Sequence, residues 1–414
     1  MASAPQSRLV VGLVGGSHVV NHAYFMLLPP VFGPLRTELG LTDAQLGVAL
    51  GLVGVVVTAL QLPLGSVSDS RGRTPVLALS LFVGAAGAAL TATAGSYTQL
   101  LLASVVVGVG IAGHHPAHYP LIGAATTPAT RGRAYSVHGF TGAVGFAVPP
   151  AAVAAASTLG LDWRLAIGTI AAVGAVYAVV AVGLLAARVD DEITGPTATD
   201  GPSGESLLVR ARRELRELVS APPIVALTVL WFVSSMAGWG IKQYTAALLT
   251  GGYPLGEATA NAAVSAMLVA GAVLIFGGGW ATDRYSPGPV LVGGYVALVV
   301  VAGLLALGTL PVLAALALVL VLSATVDASR PARAALADAF SPEGAAGKNF
   351  GLLTIGISGG GAVAPPVLGA VVARAGVEAA FWVVAGLGAL AALLTAGVLA
   401  VGRADLDVAP DPGD

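Results

Sequence analysis

The sequence predicts an all-α membrane protein, with twelve transmembrane helices arranged as two six-helix bundles related by pseudo-twofold symmetry. Three observations carry this. The 414 residues are 56% hydrophobic and only 10% charged, against about 25% charged in an average soluble domain. Apolar runs of about 20 residues, each long enough to cross a hydrocarbon core of about 30 Å as a helix, recur along nearly the whole chain. The second half also repeats the punctuation of the first at a nearly constant offset. The 56 Gly and 25 Pro suit packed transmembrane helices, where small residues let backbones approach and neighbours re-satisfy freed carbonyls.

Breaking the chain at charged, polar and Pro/Gly clusters places the spans at about 9–33, 45–66, 75–95, 99–121, 135–157 and 164–187. The second six fall at 222–249, 258–280, 289–308, 312–335, 349–372 and 377–402. The opening apolar run continues to about Phe32, too long for a signal-peptide core, and is expected to be the first span. An N-terminal bundle over 1–189 and a C-terminal bundle over 221–403 thus flank a segment of different character. Asp190 to Ser206, DDEITGPTATDGPSGES, is acidic, rich in Gly, Pro, Ser and Thr, and aperiodic, which predicts a flexible linker. Leu207 to Val219 sets Arg210, Arg212, Arg213 and Arg216 among leucines; this reads either as a helix lying on an anionic membrane surface or as a solvated charged helix. Residues 404–414 form a tail. With the N-terminus inside, 15 of the 19 Lys and Arg fall in or beside cytoplasmic segments, Arg36, Arg164, Lys242 and Arg374 being the exceptions. Both termini are therefore expected in the cytoplasm of a multi-pass protein of the cell membrane.

The repeat is specific. Gly65 to Asp69 (GSVSD) matches Gly279 to Asp283 (GWATD) at an offset of 214. Pro116 matches Pro331, Gly132 matches Gly347 and Arg133 matches Lys348 at 215, and Pro149-Pro150 matches Pro365-Pro366 at 216. A duplicated six-helix unit is typical of transporters whose halves rock around a site near the midplane.

The stretch GSVSDSRGR, Gly65 to Arg73, resembles the GxxxDRxGR signature of the major facilitator superfamily, and GWATDRYS, Gly279 to Ser286, resembles its degenerate second copy. The resemblance implies the major facilitator fold, with spans 1, 4, 7 and 10 lining a central cavity. It also makes Gly65, Asp69, Arg71, Arg73, Arg131, Arg133, Asp283 and Arg284 candidates for a conformational latch. The competing reading is that these arginines are ordinary positive-inside charges. A narrower resemblance covers the N-terminal half. SHVVNH (Ser17 to His22), LQLPLG (Leu60 to Gly65), His115-Pro116 and the stretch from RGRAYS to GxxxPP (Arg131 to Pro150) are similar in order and spacing to the fosmidomycin resistance family of proton-driven drug exporters. Where those exporters tend to carry acidic residues, this chain has His22 and Ala117.

All six histidines lie in spans of the first half: His18 and His22 in span 1, His114, His115 and His118 in span 4, and His138 in span 5. Span 7 adds Trp239, Lys242 and Tyr244, and span 10 adds Asp327, Arg330 and Arg333. An ionisable group at bilayer depth costs several kcal/mol unless it is paired or faces water, so a functional cavity is the default reading. The expected cavity residues are His18, Asn21, His22, His115, His118, Trp239, Lys242, Asp327 and Arg330. His22, His115 and Asp327 are the expected proton carriers. His18 and His22 share one helix face, as do His114 and His118. Pro116 and Pro120 should bend span 4 and free carbonyls near them.

Three roles for the histidines stand side by side: carrying protons and orienting substrate, packing, or a tetrahedral metal site made from the two HxxxH pairs. Lys242 either contacts substrate or snorkels to the surface. Trp239 and Tyr244 either stack on substrate or join the interfacial belt. Asp327 and Arg330 either face the cavity or form a pair that merely lets span 10 insert.

With no GxxxxGK[ST] loop, energy is expected from an ion gradient. The sequence thus predicts a secondary transporter, exporting a small anionic or amphiphilic solute or drug against protons by alternating access. Proton-coupled uptake of an organic anion or another nutrient is the alternative. A membrane-embedded metal-dependent enzyme is the reading from another class, disfavoured by the lack of an HExxH motif. The expected partners are a small-molecule substrate, protons and the bilayer. A monomer is expected, with no resident cofactor or metal, no catalytic residues and no nucleic acid.

Overall fold

Membrane helices must satisfy every backbone hydrogen bond internally, and the computed structural model answers that demand with helices throughout. It describes residues 4–196, 222–339 and 346–406. Twelve helices or broken-helix pairs among the described residues are long and apolar enough to cross a membrane, so the predicted count holds. The first six spans are α1 (Ala4–Phe25) with its short continuation α2 (Phe32–Leu39), α3 (Asp43–Arg71), α4 (Arg73–Thr93), the pair α5 (Tyr97–Ala112) and α6 (His114–Ala125), α7 (Pro128–Thr158) and α8 (Trp163–Arg188). A single turn, α9 (Asp191–Thr194), follows. The second six are α10 (Pro222–Gly251), α11 (Glu257–Tyr285), α12 (Pro287–Ala306), the broken run α13 (Val312–Leu322), α14 (Ala324–Asp327) and α15 (Arg330–Ala339), then α16 (Ala346–Ala375) and α17 (Val377–Leu406).

The first residues of the segment expected to be linker are described and make a helical turn. Asp191–Thr194 is helical, and Ile193 and Thr194 are buried because the Arg73 guanidinium donates to the Ile193 carbonyl at 2.5 Å. The basic segment Leu207 to Val219 and the end of the tail lie outside the described residues.

The two halves meet along two symmetry-related seams, α3 against α16 and α7 against α11. In the first seam the backbones nearly touch. Gly47, Gly51 and Gly54 lie on one face of α3, and a Cβ at Gly51 would stand 2.8 Å from the Pro366 ring, one at Gly54 2.7 Å from the Ala362 Cα. Small residues at this spacing permit the close crossing that helices in lipid use in place of hydrophobic association.

The repeat is visible in the backbone as well. Gly72, which links α3 to α4, has φ 100° and ψ 161°; Ser286, 214 positions on, links α11 to α12 with φ 68° and ψ 159°. Ser286 is the non-glycine residue with positive φ among the described residues. This region of conformational space is essentially reserved for glycine and costs other residues about 1–3 kcal/mol. Ser286→Gly is therefore expected to stabilise the protein by about 1 kcal/mol or more, read as a raised thermal midpoint in detergent; a lowered midpoint contradicts the assignment of strain.

Candidate functional site

Span 4 breaks at Gly113, the junction of α5 and α6, directly before His115-Pro116. Span 10 breaks at Ala328 and Ser329, directly before Arg330-Pro331. Each half thus offers a broken helix, and the freed groups find side-chain partners. Pro120 leaves the Pro116 carbonyl without its helical donor, and the Ser68 hydroxyl of α3 donates to it at 3.1 Å.

The break in span 4 brings all six imidazoles together. The His18 ring stacks on His138 with centroids 3.8 Å apart, lies 4.0 Å from His22 and 4.8 Å from His114, and His114 lies 3.3 Å from His118. His18 Nδ1 donates to the His138 carbonyl at 2.6 Å and His22 Nδ1 to the Gly142 carbonyl at 2.8 Å. A carbonyl only accepts, so both Nδ1 atoms carry the hydrogen. When both rings are neutral, both Nε2 atoms then present lone pairs, and they lie 2.9 Å apart. Ser17 donates to the Leu13 carbonyl at 2.8 Å and accepts from His118 Nε2 at 3.0 Å. His118 Nδ1 and both ring nitrogens of His114 and His138 are buried without a hydrogen-bond partner in the structure. As possible ligands, His18 and His22 are joined by His115 and not by the His114–His118 pair. His115, half-buried, is the histidine that comes with His18 and His22, its ligand nitrogen and theirs lying within 4.8 Å of one another.

The opposite half supplies charge. Lys242 Nζ of α10 reaches both oxygens of Asp327, at 3.2 and 3.0 Å, and Arg330 binds the same carboxylate at 3.1 Å. Ser323 donates to it at 2.5 Å. Lys242 is 6% exposed: it is paired inside the bundle and does not snorkel. The Arg330 side chain is half exposed. Arg333 donates to Ser234 at 2.5 Å and lies over the Trp231 ring.

At the end that carries Glu38 the two halves are packed against each other. There Phe25 and Phe146 pack on Trp239 with ring centroids 5.2 and 5.6 Å apart, Asn261 donates to the Pro30 carbonyl at 3.0 Å and Ser265 to the Ala147 carbonyl at 3.0 Å. Trp239 is therefore part of an internal plug and not of an interfacial belt. Tyr244, 1% exposed, donates to the Pro365 carbonyl at 2.7 Å and holds the α10–α16 contact. Towards the Asp69 end, Tyr119 and Tyr135 are exposed with rings 5.8 Å apart, beside His115 and His138.

Asn21 does not face the expected cavity. It is fully buried in the N-terminal half, its amide 3.4 Å from Ser80. Of the expected latch residues, Asp69, Arg71, Arg133, Asp283 and Arg284 are exposed at one end, while Arg73 is bound to Ile193 and Arg131 donates to the Gly123 carbonyl at 3.2 Å. Sequence reasoning missed Ser17, Phe25, Phe146 and Tyr119. For Phe25 and Phe146, nothing in the sequence separates a plug residue from a lipid-facing one.

With this geometry in hand, comparison with known proteins is decisive for the family. The model for the Major Facilitator Superfamily matches residues 14–256 and 233–412. The chain belongs to that superfamily. A probable L-galactonate transporter of Escherichia coli K12 is 27% identical over 51% of this chain and 46% of its own length. The fosmidomycin resistance protein of the same organism is 29% identical over 28% of this chain and 29% of its own. The chain therefore spans less than half the length of these curated relatives. Among solved structures, a bacterial homologue of the human lysosomal transporter Spinster, in an inward-facing and occupied conformation, superposes with a TM-score of 0.77 at 17% identity, covering 96% of this chain and 97% of that one. The nucleoside transporter NupG superposes with a TM-score of 0.75 at 14% identity over 94% and 99%. At that identity they establish the fold. Like other members of the superfamily, this is a multi-pass membrane protein built from two six-helix halves.

Removing one partner of a buried ion pair strands the other, typically at about 3–5 kcal/mol, whereas replacing both by apolar residues is often neutral. Asp327→Leu alone is expected to lower the thermal midpoint sharply, and Lys242→Met with Asp327→Leu to recover most of the loss. A double variant no better than the single one contradicts the pairing.

Proposed function

We propose that this protein is a secondary active transporter of small organic anions, working by alternating access and coupled to protons through Asp327. The carrying observation is the Lys242–Asp327–Arg330 cluster, on the wall of the crevice proposed between the halves. Two cations share one carboxylate, and Arg330 is half exposed. The net positive wall attracts an anion, and the apolar plug and exposed tyrosines accommodate a hydrophobic portion.

The cluster also bears on direction. A substrate anion competes with Asp327 for Lys242 and Arg330, so a proton on Asp327 frees both cations and favours anion binding. Proton and anion then travel together, which under an inward proton gradient is uptake. A relative named for L-galactonate supports the anionic class. Export against protons is the second reading, supported by relatives named for fosmidomycin and multidrug resistance. In both, the Asp69 end is cytoplasmic by the distribution of Lys and Arg, the crevice is open inward, both termini lie inside, the chain acts as a monomer and the cavity does no catalysis. The latch residues Asp69, Arg71, Arg131, Arg133, Asp283 and Arg284 meet across that end, with Gly65 allowing the approach, when the crevice opens outward.

Proteoliposomes with an imposed pH gradient and a panel of organic anions test this. Acid outside is expected to drive anion accumulation, Asp327→Asn to abolish the dependence on the gradient, and Arg330→Gln to raise KM about tenfold, the effect of losing a charged hydrogen bond of about 1.4 kcal/mol. Expulsion under the same gradient selects the export reading. Transport confined to cations, or indifferent to Arg330→Gln, contradicts the anionic class.

A further inference from the structure

The N-terminal wall of the crevice contains an arrangement that anion transport does not use. His18 and His22 have their Nδ1 hydrogens tied to the His138 and Gly142 carbonyls, at 2.6 and 2.8 Å. That leaves two Nε2 lone pairs facing each other at 2.9 Å, a repulsive contact unless an electrophile sits between them. A third imidazole, His115 from α6, brings a ring nitrogen to within 4.8 Å of theirs. We infer that His18, His22 and His115 form a binding site for a first-row transition-metal cation of the zinc, cobalt and nickel class.

Four features support this assignment. The donors are three imidazoles with no carboxylate or thiolate among them, a set that suits these borderline cations and not magnesium or calcium. Ligating histidines characteristically donate their second ring nitrogen to a carbonyl or carboxylate, which fixes tautomer and ring orientation; two of the three do so here. Metal–nitrogen bonds of about 2.0–2.1 Å in a tetrahedron set the nitrogens about 3.3 Å apart, a few tenths of an ångström wider than the His18–His22 separation; the His115 nitrogen, within 4.8 Å of theirs, closes in by up to about 1.5 Å when the metal binds. Finally, three protein ligands leave a fourth position, and His22 and His115 are only half-buried. An open fourth position characterises metal sites that exchange ligands, whereas structural zinc sites are closed. A cation held there faces the crevice and accepts an exchangeable water or an anionic group of a bound solute.

His114, His118 and His138 surround this trio and are not part of it. His118 is engaged by Ser17, and His138 stacks on the His18 ring. The trio also differs from the site suggested by sequence spacing, which joined two HxxxH pairs. The inference concerns binding and rests on the crevice, not on the direction or the substrate of transport. Anion transport assayed with a chelator present fails or succeeds independently of it.

The test is titration of the full-length protein, purified in detergent without a polyhistidine tag, with Co2+ followed by visible absorption and then with Zn2+ as competitor. One Co2+ per chain, with the intense visible bands of a four-coordinate site, displaced by one Zn2+, is the expected result. His22→Gln and His115→Gln are each expected to weaken binding by about tenfold or more, and His114→Gln to leave it unchanged, all three eluting as monodisperse protein. Absence of saturable binding by the wild-type chain overturns the inference and leaves a shared proton as the occupant of the His18–His22 pair. So does binding that survives in the His22→Gln, His115→Gln double variant. If His22→Gln fails to fold, His115→Gln decides, because His115 is half-buried at the crevice and makes no hydrogen bond that holds α1 to α7.

Discussion

The structure depends on one constraint: ionisable groups carried by apolar helices cannot face lipid. Six histidines, Lys242, Asp327, Arg330 and Arg333 sit in spans that must insert, so those spans turn their charged faces towards a common axis. Lys242 and Asp327, from spans far apart in sequence, meet at 3.0 Å because each removes the other's cost. The imidazoles of α1, α6 and α7 gather for the same reason, using carbonyls of α7 as acceptors. The remaining faces are left to Val, Leu and Ala, and the twelve-helix bundle follows.

A second constraint shapes the state. Closing a crevice between two helical bundles in lipid cannot rely on the hydrophobic effect, since lipid is as apolar as the interface. The closed end instead uses backbone proximity and a few directed bonds: glycines of α3 against Ala362 and Pro366, Asn261 to Pro30, and the Phe25–Phe146–Trp239 plug. Such contacts are individually modest, which suits the proposed alternation, in which this end separates and the exposed charges at the opposite end meet. The pseudo-twofold repeat supplies two equivalent seams between the halves.

Much of this was legible in the sequence because hydropathy and punctuation are local signals. The twelve spans, the repeat, the bend at His115-Pro116 and the gathering of charge in spans 1, 4, 7 and 10 all follow from residue type and spacing. The position of Lys242 suggested the membrane surface; its actual burial depends on Asp327, 85 residues on, which no window reaches. The spacing of the two HxxxH pairs suggested a four-histidine cluster, whereas the turn at Gly113 rotates His115 towards α1. Asn21 follows His18 by three positions, yet its amide turns to Ser80 of α4. Tyr244 looked like a substrate or belt aromatic, and proves to be a strut, its hydroxyl donating to the Pro365 carbonyl of a helix 121 residues on. Ser286 broke no visible rule until its φ was known, although its register with Gly72 was already present in the repeat.

The central claim is that the crevice belongs to one of two states exchanged by rocking the halves. The chain contains no cysteine, so introduced pairs can be spin-labelled cleanly in lipid bilayers, one pair at Val67 and Trp280 across the Asp69 end and one at Thr37 and Gly256 across the Glu38 end. The account predicts two populations, the first distance shortening as the second lengthens when the pH or the solute is changed. Distances that stay single and fixed across those conditions, or that lengthen together, would contradict it.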